Sequence, residues 1–450
     1  YIDYSATGDA FVLKTQSAQN LIQHELTSED DVKSFYLNEV ADVPMFSDED
    51  KIELGLSYTT KTRESRSNKF YLKAQNPTNI SYEDSQESVD FIMDKYVTQE
   101  VSNYETSTFL VKPIFNPSDY YDADFVEKGL YTKVLLNPTE AFEISLGLRK
   151  ALLNQTLHEY GIDPATNLVA INDNEMEIDK YLPNIDMRYK FSDNDQLRFG
   201  YSITYIYPDF REFSSSGYFH PDEAATVIGN PNLKHTDLTN YDLRFEHYFS
   251  PTESFSTAVF YKTLKNPIED VSRPTTSLPI YSYENTDSAT LVGMELEASK
   301  GLDFVDEALE NYYTSANFTY TQSDVTLSQE QEAQFTTNHR ELQGLSPIVV
   351  NANIGYDNTD GRIINLAYNY MSRRIRKVGL KNGIQEYPDQ YEYPPHLVDF
   401  TWQENIMDGM DVKLKAANLL NGEVQWMEGD NITKRYKIGR SYELSLSYKY

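Results

Sequence analysis

Seven histidines, His24, His158, His220, His235, His247, His339 and His396, are scattered through a chain of 450 residues that contains no cysteine. No two stand at i, i+4, the spacing that would aim both rings at one metal from a helix, and no carboxylate pattern repeats at metal-ligand spacing. Disulfide staples, cysteine-ligated zinc and thiol catalysis are excluded. His220 with Asp222 and Glu223 could hold a divalent cation, but a solvated acidic loop is the better reading. Ser214-Ser215-Ser216-Gly217 reads as flexible loop and not as a nucleophile elbow. No catalytic constellation and no metal site emerge. The expectation is a protein that is not an enzyme and carries no cofactor.

Binding chemistry is better represented. Phe210, Arg211, Phe213, Tyr218 and Phe219 cluster between residues 209 and 236, and aromatic faces beside a guanidinium suit sugars, peptides or chelates. The alternative, favoured for this stretch, is that Arg211 and Glu212 brace the loop. Arg373, Arg374 and Arg376 form a basic cluster in a chain of net charge −31. They could meet an anionic ligand or balance nearby carboxylates, and both readings stay open.

The elements that must position these groups announce themselves by a period of two. At the C-terminus Tyr442, Leu444, Leu446, Tyr448 and Tyr450 alternate with Glu443, Ser445, Ser447 and Lys449. Leu197, Phe199, Tyr201, Ile203 and Tyr205 alternate with Arg198, Gly200, Ser202 and Thr204, and the pattern recurs at 142–149, 241–249 and 348–356. One face suits lipid and the other a wet interior. About 16 strands are expected, near residues 11–27, 32–45, 50–74, 121–136, 140–157, 176–192, 195–208, 237–250, 253–266, 279–299, 310–326, 345–357, 361–376, 395–406, 410–427 and 436–450. One helical turn is expected near Asp303–Leu309.

Connections alternate in length. Phe46–Glu49, Asn137–Thr139, Ser192–Asn194, Pro251–Thr252, Asn358–Asp360 and Met407–Gly409 are short. The stretches 75–120, 158–175, 209–236, 267–278, 327–344 and 377–394 are long and polar. An up-and-down transmembrane barrel with short periplasmic turns and long extracellular loops has this rhythm. Soluble sandwiches and propellers also alternate, but their strands usually run five or six residues. A barrel of 16 or more strands cannot fill its interior with side chains, so its polar face points inward and its apolar face meets lipid. The apolar stripe Leu197–Tyr205 is expected to face lipid.

Composition agrees. Tyrosine stands at 36 against 22 Phe and 2 Trp, and its apolar ring with a polar tip suits a membrane–water interface. No run of 18 apolar residues exists, which excludes a membrane-spanning helix and says nothing against barrel strands. With 70 acidic and 39 basic residues, nucleic acid is not an expected partner. Tyr1 begins in mid-pattern with no signal peptide, which reads as a mature or truncated start.

Several phrases, taken in order, resemble the barrel of TonB-dependent outer-membrane receptors. They are Tyr-Pro-Asp-Phe-Arg-Glu-Phe (207–213), Gly-Asn-Pro-Asn-Leu-Lys (229–234) and Thr-Asn-Tyr-Asp-Leu-Arg-Phe-Glu (239–246). Phe260-Tyr261-Lys262 with Asn266-Pro267-Ile268-Glu269 follows, then Gly293-Met294-Glu295-Leu296-Glu297. Leu342-Gln343-Gly344-Leu345-Ser346-Pro347 with Asn351, Tyr368-Asn369 with Arg373-Arg374-Ile375, and Asn418-Leu419-Leu420-Asn421 complete the series. The resemblance covers essentially the whole chain, although the family usually ends in Phe where this chain ends in Tyr450.

The resemblance implies a 22-stranded barrel behind an N-terminal plug and coupling motif. Residues 1–450 would then be its C-terminal portion, roughly the seventh through the last strand. It further implies energised import of a siderophore, cobalamin, glycan or peptide across the bacterial outer membrane. The implied partners are the TonB system acting through the plug, outer-membrane lipid and lipopolysaccharide, and a surface lipoprotein. Lipopolysaccharide phosphate is a further candidate for the Arg373–Arg376 cluster. A passive porin or a barrel-based adhesion protein is the alternative function.

Overall fold

The computed structural model describes residues 4–7, 10–13, 22–74, 91, 109–114, 116, 119–162, 166, 169–220, 223, 225–273, 275, 280–358, 361–382 and 385–448. Residues 14–21 of the strand expected at 11–27, most of the connection 75–120, Asp222, Asp360 and Tyr450 lie outside them. The fold is all-β, and its body is an antiparallel sheet of sixteen strands. Fifteen of these form a wall in which each strand pairs with the next along the chain: β1 (Ile22–Asp42), β2 (Lys51–Ala74), β3 (Tyr120–Thr139), β4 (Phe142–Ile162), β5 (Val169–Lys190), β6 (Asp195–Ile206), β7 (Thr236–Ser250), β8 (Glu253–Lys265), β9 (Ser288–Gly301), β10 (Tyr312–Thr326), β11 (Ile348–Asp357), β12 (Ile363–Met371), β13 (Leu397–Met407), β14 (Met410–Ala417) and β15 (Ser441–Tyr448). The sixteenth, Phe109–Ile114, extends the upper end of β2.

The total matches expectation, but not strand by strand. Residues 22–27 of the region read as 11–27 share one strand, β1, with the region read as 32–45, and it pairs β2 without a break from Ile22 to Asp42, whereas Phe11–Leu13 belong to a separate strand, Ala10–Leu13, paired with Tyr4–Thr7. Charges on both of its faces interrupt the apolar pattern without interrupting the ladder. Asp30 is held across the pair by Arg63 Nε and Nη2, at 2.6 and 2.8 Å. The strands expected at 279–299, 361–376 and 410–427 each turn a corner near the extracellular end and continue in a second sheet. The helical turn is present as a 3-10 helix at Glu307–Leu309, in the turn between β9 and β10.

Side-chain alternation divides the wall cleanly in its lower part. On β4, Leu146 and Leu148 point outward and stay open to the surroundings, while Gly147 and Arg149 point inward. Tyr201, Tyr241 and Tyr261 form an outward rung across β6, β7 and β8, with ring centroids 5.1 and 6.3 Å apart. Tyr312 and Tyr356 pack edge-on at the periplasmic end of β10 and β11. From Tyr312 to the exposed Tyr320 the outward face of β10 runs about nine residues, a typical bilayer crossing for a barrel strand. Inside, Gln196, Glu246, Arg198, Arg244 and Glu297 form a hydrogen-bonded charged belt, continued by Asn369→Asn351→Asn317 amide bonds of 3.0 and 2.7 Å. Large rings lie flat over opposing glycines on this wet face. A β-carbon on Gly55 would collide with Tyr131, and one on Gly355 with Tyr313.

Above the membrane band the polarity of the two faces inverts. On β3, β4 and β5 the inward residues become Tyr121, Ala123, Phe125, Leu153, Leu157, Met176 and Ile178, all buried. The outward ones become Asp122, Asp124, Asn154, His158, Asp173, Glu175 and Glu177, and His158 Nδ1 lies 2.7 Å from Asp173 Oδ1. Water replaces lipid outside, and a protein core replaces the wet lumen inside. The stripe Leu197–Tyr205 follows this change. The pairing of β5 with β6 reaches only to Asn184 opposite Ser202. Beyond that break Tyr205 joins the inner core and donates its hydroxyl to Glu127 Oε1 at 3.3 Å, so it does not extend the lipid-facing stripe.

Among the described residues no pairing joins β1 to β15. Residues 25–42 of β1 and all of β15 are exposed on both faces, so both edges of the wall are uncovered.

Candidate functional site

The long connections converge on one structure at the extracellular mouth. Eight short strands form a single sheet in the order Gly217–His220, Ala225–Ile228, Ile280–Asn285, Ile268–Arg273, Arg374–Gly379, Gln390–Tyr393, Glu423–Glu428 and Asn431–Lys437. Hairpins rising from separate pairs of wall strands are joined by parallel pairing. Thr226 and Val227 meet Ile280 and Tyr281, and Val271 and Ser272 meet Val378 and Gly379. The chain leaves the wall through residues in the left-handed region, Asn266 at φ 53° and Asn418 at φ 54°. Asn tolerates that conformation because its short amide bonds to local backbone. The family-like phrases Asn266–Glu269 and Asn418–Asn421 are therefore corners.

One flank rests on the inverted face of β3–β5. Asp209 caps the short helix Phe210–Phe213 with a full capping box, and its Oδ1 also accepts from Arg63 Nη1 at 3.0 Å. Phe210 and Phe213 are spent on the core with Leu233, Leu157 and Ile178. Burial pushes the Glu212 carboxyl up, partly offset by the Asp209 N–H that it accepts. Gly229 packs so tightly that a β-carbon would collide with the carbonyl oxygens of Arg211, Glu212 and Ser214. The triple-serine stretch is ordered for a purpose. Ser214 Oγ (2.6 Å), Ser215 N (2.5 Å), Ser215 Oγ (2.8 Å) and Ser216 N (3.3 Å) all donate to the buried carboxylate of Glu159.

The other flank rests on the inner face of β9 and β10. Val271, Ile375 and Val378 pack against Ala289, Val325, Leu327 and Phe335. Beneath them Arg340 grips Glu269 bidentately, Nη1 at 2.7 and Nη2 at 2.6 Å, with both side chains 1% exposed. Asp389, buried and accepting from Gly379 N at 2.9 Å, has its carboxyl pushed up by desolvation. Because this face lies against inward wall residues, the opposite face of the sheet turns toward the axis of the mouth. That face carries Tyr281, Lys377, Gln390, Trp426 and Glu428, which share it through the pairings of Tyr281 with Ser272, Lys377 with Gln390 and Gln390 with Glu428.

The sequence-predicted site residues are not brought together as one pocket. Phe210 and Phe213 are core, so their rings are not available to a ligand. Arg211 lies over the Tyr218 ring at 4.3 Å, and Phe219 sits on the edge strand of the sheet. Arg373 covers Tyr391 at 4.5 Å, and Arg374 pairs with Glu392 at 2.8 Å. The axis-facing group Tyr281, Gln390, Trp426 and Glu428 was not singled out from sequence. Its one signal was Trp426, one of only two tryptophans. Among the described residues no group of three His, Asp or Glu side chains is placed to hold a metal ion.

Comparisons with known proteins place this architecture. A family model described as TonB dependent receptor-like, beta-barrel matches residues 3–419. No curated protein matches the sequence. Among solved structures, the siderophore receptor PiuA from Acinetobacter baumannii superposes with a TM-score of 0.59 at 14% identity, over 95% of this chain and 56% of that one. The ferric yersiniabactin uptake receptor FyuA from Yersinia pestis gives 0.57 at 14%, over 95% and 55%. The copper transporter OprC gives 0.56 at 12%, over 94% and 57%. At these identities the likeness shows the fold alone, and the chain spans a little over half the length of these structures. A lipid-facing antiparallel wall, a wet inner face and a family match over most of the sequence lead to one conclusion: the chain belongs to the TonB-dependent receptor family and supplies a large part of its β-barrel.

Proposed function

We propose that this chain forms the later strands and the extracellular gate of a receptor that imports a scarce nutrient across the bacterial outer membrane, driven through a plug by the TonB system. The observation that carries the reading is the mouth. Four extracellular connections are woven into one inward-packed sheet above a wet, charged lumen, an arrangement suited to capture followed by gated passage. A passive pore would instead need an open entrance. The uncovered edges of β1 and β15 support the second half of the proposal. Unpaired backbone in hydrocarbon costs several kcal/mol per group, so these edges call for further strands to complete the barrel. The nutrient belongs to the siderophore, cobalamin, glycan or peptide classes.

The test compares nutrients removed from the medium by cells with and without the gene. A solute of one of these classes should stay in the medium of deletion cells, and wild-type uptake should stop when the inner-membrane proton gradient is collapsed. Uptake that survives the collapse would favour the passive pore.

A further inference from the structure

On the axis-facing side of the extracellular sheet, Arg376 is held by groups from three different loops. Its guanidinium lies 3.6 Å over the ring of Trp426, and its two terminal nitrogens bond Gln390 Oε1 and Glu223 Oε1. Gln390 in turn donates to Glu428 Oε1 at 2.7 Å. Glu223 comes from the turn between Gly217–His220 and Ala225–Ile228, at the far side of the sheet, and reaches across two strands to make this contact. The Arg376 and Glu223 side chains are each 13% exposed. The arrangement is incompletely satisfied. Among the described residues, Glu223 Oε2, Trp426 Nε1 and His220 Nδ1 are buried with no hydrogen-bond partner. Lys377 lies over Tyr281 at 4.9 Å while pairing with Asp270 at 3.2 Å, and Lys434 lies over Trp426 at 4.5 Å, so aromatic rings and charges of both signs surround the guanidinium.

A planar guanidinium stacked on an indole presents a fork matched to one carboxylate. In this structure Glu223 supplies a carboxylate to one arm of that fork, and the amide oxygen of Gln390 takes the other. We propose that Glu223 is a resident stand-in for a ligand carboxylate, and that a carboxylate-bearing nutrient binds Arg376 by displacing it. The Trp426 N–H is the unused donor that such a ligand would gain. This deepens the uptake reading by naming the ligand's recognised group and the residue that it displaces. It also stands on its own, because binding can be measured without transport.

The test uses the full-length protein purified from outer membrane, with glutarate as the probe because it copies the Glu223 side chain. Tryptophan fluorescence is followed, and the Trp426→Phe variant identifies the part of the signal that belongs to this ring. Glutarate should change that signal, and neutral glutaramide or chloride at matched ionic strength should not. Removing an intramolecular competitor that occupies the site most of the time raises apparent affinity by the inverse of the free fraction. Glu223→Gln should therefore tighten glutarate binding by about tenfold or more, and Arg376→Gln should abolish it in either background. Equal glutarate affinity in wild type and Glu223→Gln, or a response that survives Arg376→Gln, would overturn the proposal. Glutarate binding as predicted in a protein whose deletion leaves uptake unchanged would sink the transport reading and leave the carboxylate site standing.

Discussion

Arg340 and Glu269 offer the sharpest test of how the mouth is held together. They sit under the extracellular sheet, 1% exposed each, in a bidentate pair of 2.6–2.7 Å. Glu269 also accepts from Gln343 N at 3.2 Å, and Gln343 bonds both Asp270 N and the Arg376 carbonyl. The pair thus ties the segment before β11 to the hairpins above β8 and β12. Breaking a buried pair by removing one partner strands the other charge and costs about 3–5 kcal/mol, whereas replacing both by apolar groups is often neutral. Arg340→Met should therefore make local opening of the sheet about a hundredfold to several thousandfold more frequent. The double variant Arg340→Met, Glu269→Leu should recover most of the loss. Hydrogen exchange of residues 268–285 and 374–393 in the full-length protein reads the opening directly. Unchanged protection in the single variant, or equal lability in single and double variants, would refute the reasoning.

Further outcomes follow from the faces, the turns and the close approaches. Ala352→Arg, outward on β11 midway between Ile348 and Tyr356, should destabilise the barrel by about 2–4 kcal/mol and the lumen-side Asn353→Arg by much less, as measured by urea titration in detergent. Because the native chain has no cysteine, Lys234→Cys should label with an impermeant thiol reagent on intact cells, and Glu307→Cys only after the outer membrane is opened. Asp50, in the turn between β1 and β2, accepts from Met45 N, Phe46 N, Ser47 N and Asn137 N. Burial pushes its carboxyl up, but the N–H groups of Phe46, Asn137 and Ser47 outweigh this and hold it well below the usual carboxylate range. A depressed pKa in the folded state gives stability that is present above about pH 4 and lost as the pH falls, so Asp50→Asn should blunt acid destabilisation. Gly229→Ala should dislodge the helix Phe210–Phe213 from its core and expose the loop to protease on intact cells, at a cost of about 1–3 kcal/mol or more for overpacking.

Much of the wall was legible because one physical rule governs it. Where lipid lies on one side and water on the other, every second residue must be apolar, and β11 from Ile348 to Asp357 obeys without exception. The rule fails at the level of the headgroups. On β1 the run Thr27–Asp31 looks like a break, yet the backbone continues, because a strand beyond the bilayer can carry charge on both faces. On β5 the same blindness hid Met176 and Ile178, which are apolar and inward where the lower wall is polar and inward. Alternation reports that two faces differ, and it cannot say which of them meets water.

That inversion also explains why the candidate site was only partly visible. Aromatic residues in the 209–236 loop stood as candidate ligand contacts, beside the favoured reading that Arg211 and Glu212 brace the loop, because a loop was taken to face solvent. Above the membrane, however, the wall turns its own apolar residues inward, and these must be covered. Phe210 and Phe213 cover Leu157 and Ile178, as Ile375 and Val378 cover Ala289 and Val325. The core of the mouth is therefore built between wall and loops, and its apolar residues are structural. What remains for recognition is the sheet's other face, where Glu223, Arg376, Gln390 and Trp426 meet from connections separated by up to some two hundred residues. No local pattern in the sequence marks that meeting, since it depends on parallel pairing between hairpins that rise from different parts of the wall. The phrases Asn266–Glu269 and Asn418–Asn421 locate the corners that make the pairing possible, and the recognition face follows from where those corners send the chain.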